Sequence, residues 1–143
     1  MAIELSDLAL QSIATFEAET GARANDCLLE EATDTLVFVV HPEDMAAAIG
    51  PGGETVERLE SMFDRRVILV ENAEIPEEFV ANALAPAAVY DVIISRDGET
   101  ATAVVDPDDM GVAVGRNGER IDRARRLANR HYSITEIELE ADE

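Results

Sequence analysis

A chain of 143 residues, 47% of them apolar, can bury a real core as one ordinary domain or two small ones, and no run approaches the roughly 20 apolar residues of a bilayer span. Its 31 acidic residues outweigh 11 basic ones, all of them arginine, for a net charge of −20, yet well-patterned Val, Ile and Leu runs exclude the disorder that acidity brings to apolar-poor chains. The single cysteine, Cys27, excludes an internal disulfide and a cysteine zinc site, and the N-terminal stretch lacks the basic and apolar regions of a targeting signal. The expectation is a soluble, unprocessed cytoplasmic protein whose solvent face is acidic throughout, a device of proteins that work at very high salt.

Taken in chain order, residues 5–19 carry Leu5, Leu8, Ile13 and Phe16 at helical spacing, and residues 26–31 and 35–41 read as strands. His41 then stands as an N-cap before Pro42 and the acids Glu43 and Asp44, which suit the positive end of a helix. That short helix ends at a glycine cluster, a second helix starts at Glu54, and residues 66–71 form a strand. Ala73-Glu74-Ile75-Pro76 is a short linker, which divides the chain into units 1–74 and 75–143.

The second unit repeats the order. Pro76 and two glutamates open a helix over 76–84, and strands follow at 88–95 and 100–106 around the turn Arg96-Asp97-Gly98-Glu99, with Asp-Gly at its centre. Asp106 and Pro107 start a short helix, Glu119 starts a longer one, and residues 133–140 alternate Ile137 and Leu139 with Glu136, Glu138 and Glu140 as a strand should. The repetition is visible residue by residue at an offset of 65: HPEDMAAAIGPGGETVERLE (41–60) lies over DPDDMGVAVGRNGERIDRAR (106–125) without a gap. Pro42 matches Pro107, Met45 matches Met110, Gly50 matches Gly115, Gly53 matches Gly118 and Arg58 matches Arg123. Such a period is long for a solenoid and suits a duplicated small domain.

The chemistry sits in Ile49-Gly50-Pro51-Gly52-Gly53 and Val114-Gly115-Arg116-Asn117-Gly118, each between a short helix and a longer one. Glycine lacks a Cβ, so such a loop can take positive φ and admit a sugar-phosphate backbone beside helix N-terminal amides. These segments resemble the GxxG loops of KH domains. With two strands before the motif and one after, each half resembles the type II KH topology: an α+β unit, helix-strand-strand-helix-GxxG-helix-strand, with helices packed on one face of a three-stranded sheet. Two abutting units of this kind resemble the archaeal NusA-like transcription factors over nearly the whole chain.

The resemblance implies binding of single-stranded RNA. The loop would clamp the backbone, and the bases would lie in a groove lined by Met45, Ala48, Ile49 and Val56 in the first unit and Met110, Ala113, Val114 and Ile121 in the second. It also implies a role in transcription elongation, termination or antitermination, with RNA polymerase as a further partner. The second unit reads as the stronger grip. Its loop holds Arg116 and Asn117 where the first holds Pro51 and Gly52, and from Gly115 to His131 six arginines face only Glu119 and Asp122. Arg123, Arg126 and Arg130, with Arg120 near their edge, recur at the spacing of one helix face and predict a basic stripe beside the loop, although Leu127 falls close to it.

Each feature has a plainer reading. A glycine turn between helices is common, so the weight rests on two copies in one frame. The arginines could pair with neighbouring carboxylates, and a double KH unit could serve as a docking module for RNA polymerase or a ribosomal partner with degenerate RNA grooves. Met45 and Met110 read as core or groove lining, and Cys27 as a small buried apolar residue. His41 and His131 occupy non-equivalent places without partners at nucleophile or metal spacing. Neither glycine segment continues into a P-loop or completes a dinucleotide fingerprint. The reading is therefore a binding protein and not an enzyme, with no cofactor, metal, membrane or small-molecule substrate.

Overall fold

The computed structural model describes residues 5–143; Met1–Glu4, the start of the N-terminal stretch read above, lie outside the described residues. Two compact units part between Asn72 and Ala73, two residues before the boundary drawn from the sequence. Backbone and side-chain bonds explain the shift. The Asn72 N–H donates to the Val40 carbonyl and its side-chain amide to Asn25, tying it to the first unit, whereas the Ala73 carbonyl accepts from Tyr132 of the second.

The first unit runs α1 (Asp7–Thr20), β1 (Ala24–Glu30), β2 (Thr35–Val40), α2 (Met45–Ile49), α3 (Glu54–Phe63) and β3 (Arg66–Glu71). Its three-stranded sheet has β2 in the middle, antiparallel to β1 and parallel to β3. The helix α1 begins where the Ser6 hydroxyl accepts from the Ala9 N–H, and ends where Gly21 turns left-handed. Along it Ala9, Ile13 and Phe16 fall on one buried face. Leu36, Phe38 and Val40 alternate along β2 to meet them, with Phe16 stacked on Phe38 at 4.5 Å and Leu59 and Ala48 closing the core. Cys27 is buried in this core.

The second unit runs α4 (Pro76–Ala83), β4 (Val89–Ile94), β5 (Thr100–Val105), α5 (Met110–Val114), α6 (Glu119–Tyr132) and β6 (Glu136–Ala141), with β5 central and the same strand senses. The two units are thus both α+β, with helices on one face of a three-stranded sheet. Where β2 offers Leu36, Phe38 and Val40, β5 offers Ala101, Ala103 and Val105, and the bulk of the buried set comes instead from Phe79, Leu84, Leu127, Ile134 and Ile137.

Two features of the end of the second unit have local causes. The last strand starts at Glu136 and not at residue 133, because Ser133 takes φ 58° to end α6 and Ile134 turns into the core. The offset of 65 also fails after α6, which has 14 residues against 10 in α3. The extra turn carries His131 and Tyr132, whose rings pack on Phe79 at 4.9 Å and 5.4 Å, while the opening helix is correspondingly shorter, 8 residues in α4 against 14 in α1.

Candidate nucleic-acid interface

Each glycine loop is delivered by the same scaffold. His41 and Asp106 cap their segments as expected, accepting from the Glu43 and Asp108 N–H groups. One turn on, Asp44 and Asp109 reach back to the backbone N–H of Arg23 and Ala88, at 2.9 Å and 2.8 Å, which fixes the start of the short helix against the strand that begins each sheet. In the first unit the Arg23 guanidinium adds a 2.8 Å bond to the same carboxylate, and this bond holds the Asp44 carboxyl below its usual range. In the second, the Tyr90 hydroxyl donates to Asp106 and lowers that carboxyl in the same direction.

The loops themselves superpose in conformation. Gly50 and Gly115 end the short helices at φ 75°, ψ 167° and φ 80°, ψ 171°, a region essentially restricted to glycine. Their N–H groups donate to Ala46 and Gly111, and their carbonyls accept from Gly53 and Gly118. A Cβ on Gly50 would stand 2.1 Å from the Thr55 hydroxyl oxygen, and one on Gly115 would stand 2.8 Å from the Arg120 backbone nitrogen. The next two left-handed positions are Gly52 (φ 60°) with Gly53 (φ 80°), and Asn117 (φ 56°) with Gly118 (φ 75°). Asparagine tolerates that conformation better than most residues, which is why it can replace glycine there. Neither α3 nor α6 has a side chain capping its start, so the helix beginnings face the loops with backbone donors.

The remaining candidates divide by exposure. Ile49 and Val114 are exposed beside their loops, as are Pro51, Gly52, Arg116 and Asn117. Ala48, Ala113 and Ile121, read as groove lining, are buried in the cores instead, and Met45 and Val56 are half-buried against the first core. The arginine stripe is dispersed. Arg123 is only 5% exposed and pairs with Glu119 at 2.8 Å, because it shares a helix face with Leu127, one turn on and wholly buried. Arg120 donates to the Val112 carbonyl, tying α6 to α5, and Arg130 is half-buried and partnered. Arg125, not counted in the stripe, bridges Asp122 and Glu136. Arg116 and Arg126 are exposed and enter no ion pair among the described residues.

Sequence reasoning missed Asp44 and Asp109 as the anchors of the short helices. The signal was present, since both stand three residues after the capping residue and align in the repeat. Among the described residues no group of three His, Cys, Asp or Glu side chains could hold a metal ion, and no helix is long and apolar enough to cross a membrane.

Two α+β units, each with a GxxG loop between a short and a longer helix, define a tandem type II KH protein, a class whose GxxG loop clamps the backbone of single-stranded RNA. Family models agree on both halves: the KH domain model matches residues 11–76 and the model of the NusA-like second KH domain matches residues 76–142. The chain is 54% identical over 140 residues to a probable transcription termination protein NusA of Halococcus morrhuae, covering 97% of this chain and 99% of that one. It is 51% identical to the protein of the same description from Halobacterium salinarum, with the same coverage. Its fold also matches the crystal structure of APE1850 with a TM-score of 0.84 and 25% identity, over 95% of this chain and all of that one. The chain belongs to the archaeal NusA-like family of tandem KH proteins, and with that family and fold comes single-stranded RNA binding in a transcription setting.

Proposed function

We propose that the second GxxG loop is the principal RNA clamp and that the protein works in transcription termination or antitermination in the cytoplasm, in contact with RNA polymerase. The observation that carries the clamp is Arg116: exposed, free of carboxylate partners, and placed between Gly115 and Gly118 in the loop that joins α5 to α6. A guanidinium there reaches phosphate while Asn117 and the uncapped start of α6 add neutral donors. The first loop has the same backbone shape with Pro51 and Gly52 in place of that charge, so it serves as the weaker contact. Exposed Ile49 and Val114 supply apolar edges for bases, and Arg126 supplies a peripheral phosphate contact. The transcriptional role is supported by relatives that match this chain nearly end to end and are described as probable termination proteins.

The test is the variant Arg116→Asp with Asn117→Asp, titrated with single-stranded RNA oligonucleotides of mixed sequence at molar KCl. Aspartate already takes positive φ in this chain, at Asp34 and Asp64, so the loop should keep its shape and the protein its circular dichroism. Binding should fall at least about tenfold, the effect of losing one charge-assisted phosphate contact and adding repulsion. Undiminished binding by the folded variant would remove the loop from the interface and favour the unit as a protein-docking module.

A further inference from the structure

The edge strand β4 and the helix α4 leave an open groove of about 350 Å³ between them. Ile75, Glu77, Glu78 and Ala81 wall one side and residues 89–92 the other, so it shares no lining residue with the glycine loop. Two of its apolar side chains stand largely in water, Ile75 at 47% and Tyr90 at 58% exposure. Tyr90 is the extra residue of the bulge at the start of β4, and the matching bulge in β1 holds Asn25. A small polar residue therefore suffices for the bulge, and the second unit carries an exposed aromatic ring in its place. The Tyr90 hydroxyl donates to Asp106. The ring is thus already held, and covering it costs little further side-chain entropy.

The charged lining is acidic throughout. Glu77 and Glu78 stand in the first turn of α4, where the helix dipole favours acids, and Asp91 accepts the Val92 N–H. All three are exposed, and among the described residues they enter no ion pair and no arginine lines the groove. Because Asp91 covers a donor of the strand edge, β4 offers a partner the groove rather than a ladder to extend. An aromatic face beside unpaired carboxylates suits a guanidinium, which stacks on the ring and donates charge-assisted hydrogen bonds to the acids. We infer that this groove docks a peptide segment of another protein, with an arginine against Tyr90 and the acidic rim and a large apolar side chain against Ile75 and Ala81. Phosphate would meet carboxylates at contact distance, where even molar salt screens little. A second copy of this chain would bring a further net charge of −20. Docking there is independent of the RNA clamp.

The test is an array of dodecapeptides with a central Leu or Phe flanked by paired arginines, lysines or glutamines, titrated against the full chain in molar KCl, with single-stranded RNA binding measured in parallel. Arginine peptides should bind about tenfold more tightly than glutamine peptides, and lysine peptides should fall between them. Three variants should each weaken the arginine peptides about tenfold while circular dichroism and RNA affinity stay as in wild type. Ala81→Leu fills the groove from a helix position that accepts leucine, Tyr90→Asn installs the residue of the first unit, and Glu77→Gln with Glu78→Gln removes the charge. No arginine peptide binding more tightly than about 1 mM, or equal binding by wild type, Ala81→Leu and Tyr90→Asn, would overturn the inference and leave the RNA clamp standing. Loss of RNA binding in these folded variants would give the groove to nucleic acid, and a dimer in sedimentation that they dissolve would give it to a second copy; either result would also overturn it.

Discussion

Asp26 and Asp91 show how single residues were copied with the domain. Each follows a register irregularity at the start of its sheet, and each accepts the N–H of the next residue, Cys27 or Val92, at 2.9 Å. A strand edge that would otherwise present an unpaired donor is closed by the side chain beside it. In the first unit this places a buried carboxylate next to the Cys27 thiol, which burial, and secondarily the Asp26 charge, push up to about 12. The folded state then keeps its proton where the unfolded thiol has lost it. Stability from this source is full below the ordinary thiol range and declines as pH rises towards about 12. Urea unfolding between pH 8 and pH 11 should show that decline, and Cys27→Ala should make it shallower; native Cys27 should also resist a thiol reagent at pH 8 until the protein unfolds.

At the scale of elements, α6 is the informative helix. Six arginines within or just before it gave the chain its one basic stretch, but only their spacing was legible in sequence, and spacing does not say which arc of a helix meets the core. Leu127 and Ala124 decide that arc, and they take Arg123 inward with them. Arg123→Ala should therefore remove the 2.8 Å pair with Glu119 and the packing of a buried side chain, and cost stability on the order of 3 kcal/mol, measured by urea unfolding, while RNA affinity at a concentration of protein that remains folded stays within about twofold of wild type. A large affinity loss with unchanged stability would instead return Arg123 to the interface. The repeat, the glycine loops and the order of elements were readable because they are written in local identities: Pro, Gly and capping residues at fixed offsets. The extra turn of α6 was not, since its reason is Phe79, fifty residues earlier, and the contact of His131 and Tyr132 with that ring.

For the molecule as a whole, the acidic composition resolves into a coat. Among the described carboxylates only Asp26 and Glu30 are buried, and the relatives of highest identity named above come from salt-loving archaea. In about 1 M salt the Debye length is about 3 Å, so acids beyond the immediate contact barely repel phosphate. With Arg116 in the second loop and Arg126 on α6 exposed and in no ion pair among the described residues, the dependence of log affinity on log salt should have a slope near −1.4, about −0.7 for each phosphate neutralised on a single strand. A slope several times steeper, measured by titration from 0.2 to 2 M KCl, would mean that many more arginines reach RNA than the structure leaves available.

The paired loops also divide their labour by position. Shape is set by Gly50 or Gly115, where any side chain collides, and by two left-handed residues after it; the remaining site, Pro51 or Arg116, is exposed and bears no part of that geometry beyond an ordinary φ. Charge can thus be exchanged at one codon without rebuilding the hairpin-like bend around it. A lineage moving between saline and dilute habitats could retune how firmly either half grips a transcript by altering that codon alone, leaving its twin and the folding of both untouched.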